Sequence, residues 1–260
     1  MLADDLIDLQ EHARLAPPFT ERQPGLTPAQ AYEAARALHR RRLGAGWRPI
    51  GRKIGFTNRT LWPRYGVYEP IWGTVYDRTL VADPGVFPLG GLVQPRIEPE
   101  ICFGLKAAPP VTRDPQRLLE CIDWVAHSIE VVQCHHPDWK MKLADCCADN
   151  GLHGRLYVGP RIPVTDVPNL ASRLPAVKIA LKKGGKTVDT GVGANVLDSP
   201  LLALAHFVEV LAAQRDAEPL KAGELVSTGT LTDAHPVAPG ETWSTEIEGL
   251  PLPGGSVTFA

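Results

Sequence analysis

The segment RIEPEICF, Arg96 to Phe103, sets two carboxylates two residues apart in an otherwise apolar run. In an extended strand successive side chains alternate faces, so Glu98 and Glu100 share one side while Ile97, Ile101 and Phe103 take the other. Burying two like charges without a partner is prohibitive. A fold that takes this strand into its core must therefore supply a cation, and hard oxygen donors suit Mg²⁺, Mn²⁺ or Ca²⁺. A second apolar run, HSIEVVQC at residues 127–134, carries one more acid, Glu130, in a strand-like setting. Glu98, Glu100 and Glu130 read together as one metal site. The Glu-x-Glu pair taken alone fits the wet face of an edge strand better; the third acid tips the reading toward a metal.

The rest of the composition narrows the class. A chain of 260 residues with 22% charged side chains and a net charge of −2 is a globular protein with a full core and no electrostatic footprint for nucleic acid. The basic cluster Arg40, Arg41 and Arg42 closes an expected helix, where cations favour the C-terminal dipole. No apolar run approaches the roughly 20 residues of a membrane span, and the acidic N-terminus is unlike a signal peptide. Five cysteines, odd in number and with no C-x-x-C pair, read as packed thiols in a reducing cytoplasm.

Leu2, Leu6 and Leu9 share a helical face, so a helix is expected over residues 1–15. Thr27 followed by Pro28 caps a second one, running to Gly44. In RPIGRKIGFTN, Ile50, Ile54 and Phe56 alternate around Lys53, a lysine that either snorkels to the surface or aims a charge into an anion site. Trp62, Tyr65, Tyr68 and Trp72 either wall a pocket or pack a satellite core. From Thr79 onward short strands dominate. They are expected at 91–93, 98–105, 127–133 and 156–158, in a hairpin around Gly184-Gly185, and at 242–247 and 256–259; helices are expected at 115–126 and from Ser199 to about 214. That pattern is α+β: a mixed β-sandwich or β-roll, divided into an N-terminal helical and lid region (1–78) and a catalytic core (79–260).

With these elements in place, the sequence resembles the fumarylacetoacetate hydrolase superfamily, in its branch of 2-keto-4-pentenoate hydratases and 4-oxalocrotonate decarboxylases. The resemblance is carried by RKIGFT, GVYEPIWG with a following YD, RIEPEICF, SIEVV, PDWKMKLADCCADNG, GVGANVLDSPLLALA, PLKAGELVSTGTLT and GETWSTEI, in order from about Ile50 to the C-terminus. It implies a β-roll of the fumarylacetoacetate hydrolase C-terminal-domain type with N-terminal helices, and Mg²⁺ (or Mn²⁺) at the glutamate set. It also implies a small 2-oxo acid substrate and a homo-oligomer, with possible association with a related pathway enzyme.

The implied reaction is hydration of a 2-hydroxy-2,4-dienoate to a 4-hydroxy-2-oxo acid, in catabolism of aromatic-derived compounds. The alternative is decarboxylation of a 2-oxo-3-enedioate. A C–C bond hydrolase, which would need His12 or His39 with a nearby Glu, and a non-catalytic partner subunit come after. Lys53 is the expected proton shuttle or carboxylate anchor, with Asp77 as its partner. Lys142 is expected to face the site, and the Thr228-Gly229-Thr230 turn to hold a substrate carboxylate. His153 departs from the small hydroxyl residue common in the branch. It is read as an acid–base group or as the polar end of the pocket for a second carboxylate. His135 and His136 are expected near the metal ligands or at the surface, not as ligands themselves.

Overall fold

The computed structural model describes residues 2–82 and 85–260. The strand bearing the paired acids, β4 (Arg96–Leu105), lies in the middle of the main sheet. That sheet also contains β1 (Pro49–Gly55), β2 (Ile71–Tyr76), β3 (Leu80–Val81), β5 (Ile122–Val132), β6 (His153–Val158), β7 (Ile162–Pro163), β10 (Leu225–Thr230) and β11 (His235–Pro236). Its order is β2-β1-β10-β4-β5-β6-β3, with β11 added to β4 and β7 to β5. A smaller sheet runs β13-β12-β8-β9, from β8 (Lys178–Lys183), β9 (Lys186–Val192), β12 (Thr242–Glu248) and β13 (Ser256–Thr258). The helices are α1 (Leu2–His12), α2 (Phe19–Arg22), α3 (Pro28–Gly44), α4 (Trp62–Tyr65), α5 (Pro115–Leu119), α6 (Leu143–Ala148), α7 (Leu170–Arg173) and α8 (Pro200–Ala213). This is the expected α+β architecture.

Local chemistry explains several of these elements. Thr27 accepts from the Gln30 amide while the Gln30 side chain accepts from the Thr27 amide, a capping box with Pro28 at the first helical position. Gly184 and Gly185 both have positive φ, as the tight turn between β8 and β9 requires. The Ile101 and Phe103 face of β4 packs on α8, and Ile97 packs with Trp243 and Val257 of the smaller sheet. The acid-bearing face looks the other way, toward the core formed by α1, α3 and α6.

Three expectations are corrected. The division at residue 78 cuts through the main sheet, because β1 pairs in parallel with β10 and carries β2 with it. The helix expected over 115–126 stops at Leu119, and β5 begins at Ile122, with every residue from Val125 to Val132 buried in the middle of the sheet. Residues 91–93 form a turn, not a strand.

The segment after α6 is pinned to β2. Asn150 accepts from the Thr74 amide at 2.9 Å and donates to the Thr74 carbonyl at 3.1 Å. The approach is close enough that a Cβ on Gly73 would meet the Asn150 carbonyl oxygen at 1.9 Å. Because backbone meets backbone, the clash cannot be relieved by a rotamer. Gly73→Ala is expected to destabilise the protein by about 3 kcal/mol in urea denaturation, at the upper end of overpacking costs.

Candidate metal centre

Neighbouring strands of the main sheet bring the acids together by register. Glu98 stands opposite Glu130 across the β4–β5 ladder, and Glu100 stands opposite Ser128 on one side and Thr230 on the other. Carboxylate oxygens of Glu98, Glu100 and Glu130 lie within 4.8 Å of one another. Glu100 and Glu130 are fully buried; Glu98 is half-buried and lines a cavity. Lys53 comes from β1, almost fully buried. Its Nζ donates to the Gly151 carbonyl at 2.9 Å and sits 3.3 Å from Glu130 Oε2.

Each buried carboxylate is held on one oxygen. Glu100 Oε2 accepts from Ser227 Oγ at 2.5 Å and from the Gly229 amide at 3.1 Å, and Ser128 Oγ lies 3.0 Å from Ser227 Oγ. Glu130 Oε1 lies 2.7 Å from His153 Nδ1. The remaining oxygens, Glu100 Oε1 and Glu130 Oε2, are buried without a hydrogen-bond partner. Orphaned buried carboxylate oxygens are costly, and these two belong to the same three-acid cluster. An all-oxygen, trianionic donor set with free lone pairs fits a hard divalent cation.

The electrostatics agree. Burial, the largest effect, pushes Glu98 and Glu100 up to about 8; Lys53 opposes this for both, and Glu130 adds to it. Glu130 is also raised, by burial. Burial disfavours the charge of Lys53, but Glu130, Glu98 and Glu100 outweigh it and raise its pKa. One ammonium therefore faces three carboxylates, and charge is short on the positive side.

The Thr228-Gly229-Thr230 stretch is not a turn that offers amides to a ligand. It is the end of β10, with an irregular register between Ser227 and Thr230. Gly229 has φ 100°, and a Cβ there would meet Thr57 Oγ1 at 1.8 Å. The Gly229 amide is spent on Glu100, the Thr228 hydroxyl donates to the Ile101 carbonyl at 2.8 Å, and Thr230 alone of the three lines the cavity.

His153 opens no second-carboxylate pocket. Both ring nitrogens are engaged, Nδ1 by Glu130 and Nε2 by Thr79 Oγ1 at 2.8 Å. Burial, then the Lys53 charge, holds its pKa well below the usual histidine range. The neutral ring therefore donates from Nδ1 to the carboxylate and accepts at Nε2. Asp77 is likewise not beside Lys53. It lies past the far end of β2, accepting from the Arg48 amide and guanidinium at 3.0 Å each. Lys142 is exposed at the start of α6 and does not line the cavity.

His135 and His136 are buried, not at the surface, bonded to Asp149 at 2.8 Å and to the Ala16 carbonyl at 3.1 Å. Of the four aromatic residues expected either to wall a pocket or to pack a satellite core, Tyr65 lines the cavity. Trp72 packs between Tyr32 and Phe207.

Sequence reasoning missed Ser227, Ser128 and the Gly151 carbonyl, and also Trp139 in the cavity wall. A glycine inside the strand pattern at 229 was the available signal for Ser227 and the bulge.

Comparison with known proteins places this geometry. The model of the fumarylacetoacetate (FAA) hydrolase C-terminal family matches residues 80–255. A 2-hydroxyhexa-2,4-dienoate hydratase from Comamonas testosteroni is 34% identical over 94% of this chain and 92% of its own length. A 4-oxalocrotonate decarboxylase from Pseudomonas sp. (strain CF600) is 32% identical over 95% of this chain and 94% of its own. The solved structure of 4-oxalocrotonate decarboxylase from Pseudomonas putida G7, complexed with magnesium and adipate, superposes with a TM-score of 0.90 at 29% identity, covering 100% of this chain and 96% of that one. By family match, relatives and fold alike, this chain belongs to the fumarylacetoacetate hydrolase family.

Proposed function

We propose that this chain is a Mg²⁺-dependent hydro-lyase that adds water to a 2-hydroxy-2,4-dienoate and releases a 4-hydroxy-2-oxo acid. The family and the relatives support a lyase of this kind. The observation that favours the hydratase over the decarboxylase is the wall of the cavity beside Glu98. Phe56, Leu61, Ile71, Val132, Trp139 and Leu152 make it apolar, and Lys53 is the one cation in it among the described residues. Lys53 is already committed to Gly151 and Glu130. A second, distal carboxylate would thus enter an apolar wall unpaired, whereas a dienoate with a short hydrocarbon tail fits it.

Glu98, Glu100 and Glu130 would hold the cation. When bound, it supplies Lewis-acid stabilisation of charge on the substrate's 2-oxygen. The protein's own groups do the rest. Ser227, Gly229 and His153 fix the outer oxygens of Glu100 and Glu130, so the inner ones keep their aim. Lys53, which donates to the Gly151 carbonyl and pairs electrostatically with Glu130, has further N–H groups to present to the substrate carboxylate or enol oxygen at the cavity. Neutralising the glutamates removes the interactions that raise its pKa and leaves burial, which lowers it, so Lys53 becomes able to exchange a proton. Overall the water oxygen bonds to C4 of the 3-enoyl tautomer and gives up one proton, the C3–C4 π pair moves to C3, and C3 takes a proton, so that H and OH add across C3=C4.

Metal-stripped protein given 2-hydroxypenta-2,4-dienoate in an ultraviolet assay should be inactive and should regain turnover with Mg²⁺, with the 4-hydroxy-2-oxo acid identified by NMR. Carbon dioxide release from 2-oxo-3-hexenedioate without hydration of the dienoate would transfer the assignment to the decarboxylase. Lys53→Ala should keep Mg²⁺ binding by calorimetry and lose about 10²–10⁴-fold in kcat. His153→Gln, which disturbs the hold on Glu130, should weaken Mg²⁺ affinity by about 10–100-fold.

The buried acids also set a pH dependence. Their pKa values in the folded, metal-free protein lie above their unfolded values, so the folded state binds more protons. Their contribution to stability is present below about pH 4.5 and is lost as pH rises through about 8. Metal-free protein should therefore melt at progressively lower temperature from pH 6 to 9, and Mg²⁺ should flatten that decline.

A further inference from the structure

Arg96 stands two residues before Glu98 on β4, so both side chains leave the same face of the sheet. Its guanidinium lies 4.3 Å from the centroid of the Trp139 ring, and its Nη1 donates to the Tyr65 hydroxyl oxygen at 2.7 Å. Tyr65 and Trp139 line the cavity and Arg96 does not, so the cation is held behind the two rings. Trp139 adopts φ 58° and its neighbour Asp138 φ 59°, a left-handed pair of non-glycine residues. Gln94 holds them there, accepting from Trp139 Nε1 at 3.1 Å and from the Asp138 amide at 2.9 Å. Strain kept in place at a cavity wall is a mark of function.

The Tyr65 hydroxyl has one proton to give, and among the described residues nothing accepts it. Burial raises the Tyr65 pKa, against the pull of Arg96, so the phenol keeps that proton at neutral pH. The other polar groups of the wall are taken. Asn58 donates to the Thr232 carbonyl at 3.2 Å and accepts from Thr60, and the Thr230 hydroxyl donates to the Thr232 carbonyl at 3.1 Å. A half-buried donor with no acceptor, on the wall that also carries Glu98, is a place for a ligand oxygen.

We propose that Tyr65, anchored by Arg96, is a specificity-determining residue whose hydroxyl donates to the C4 hydroxyl oxygen of the product, the oxygen that the added water brings. The assignment rests on the hydratase reading above. One neutral donor suits a hydroxyl or a water. A distal carboxylate would call for the guanidinium itself, which is stacked on Trp139 and bonded to Tyr65.

The test uses binding rather than turnover. Calorimetry on the Mg²⁺-loaded full chain compares 4-hydroxy-2-oxopentanoate with 2-oxopentanoate, which lacks the C4 oxygen. Wild type should prefer the hydroxy acid by about tenfold, the worth of one hydrogen bond. Tyr65→Phe should bring the ratio to about one while leaving 2-oxopentanoate affinity unchanged, which also reports on folding. Arg96→Gln, keeping the phenol but not its anchor, should lower the ratio severalfold and serves if Tyr65→Phe does not fold. A preference that survives both variants overturns the proposal. So does a loss confined to 2-oxohexanedioate, which would assign Tyr65 to a distal carboxylate. Wild type that prefers the hydroxy acid yet does not hydrate the dienoate would overturn the hydratase reading and leave the donor standing. Hydration with no such preference would do the reverse.

Discussion

Three carboxylates share the interior of one sheet with a single ammonium, and much of the surrounding structure follows from making that arrangement tolerable. Burial alone would protonate the acids; Lys53 and the donors around Glu100 pull the other way. The polar groups beside the cluster are spent on its outer oxygens: Ser227 and Gly229 on Glu100, His153 on Glu130. The inner oxygens stay free, which is the state a hard cation needs and an empty apolar core could not accept.

That constraint reaches the distant N-terminal helices. Lys53 is steadied by the Gly151 carbonyl, which belongs to the segment following α6. Asp145 of α6 accepts from the Thr20 amide and hydroxyl at 2.9 and 2.7 Å, and Asp149 accepts from Gln10 of α1. The helices that pack on the acid-bearing side of the sheet therefore support the carbonyl that positions Lys53. β2 supplies the other support through Asn150 and Thr74. This is why the N-terminal region cannot be separated from the sheet as an independent lid.

The cavity divides into two ends of different chemistry. Near Glu98 it is ionic and built on strands, whose register fixes where the carboxylates stand. Farther out it is aromatic and apolar, built by Phe56, Tyr65 and Trp139 from short helical turns and connections outside the strands. Family members with similar metal centres can thus differ in substrate through the loop-borne end alone, as loops carried on a rigid scaffold commonly do.

The sequence by itself determined what depends on short-range periodicity. Alternation put Glu98 and Glu100 on one face, a third acid in an apolar run pointed to Glu130, and an isolated charge between Ile50, Ile54 and Phe56 marked Lys53. The capping box at Thr27 and the Gly184-Gly185 hairpin were readable for the same reason. What only the tertiary structure decided was which group faces which across elements far apart in the chain. Asp77 looked like a partner for Lys53 but sits at the other end of β2, held by Arg48. His153 looked like a pocket residue but turns both nitrogens to Glu130 and Thr79. The amide of Gly229 serves Glu100, because an irregular register in β10 turns it there. Local pattern specifies the side of a strand on which a residue stands; the identity of the atom opposite depends on sheet register and on loops that no periodicity encodes.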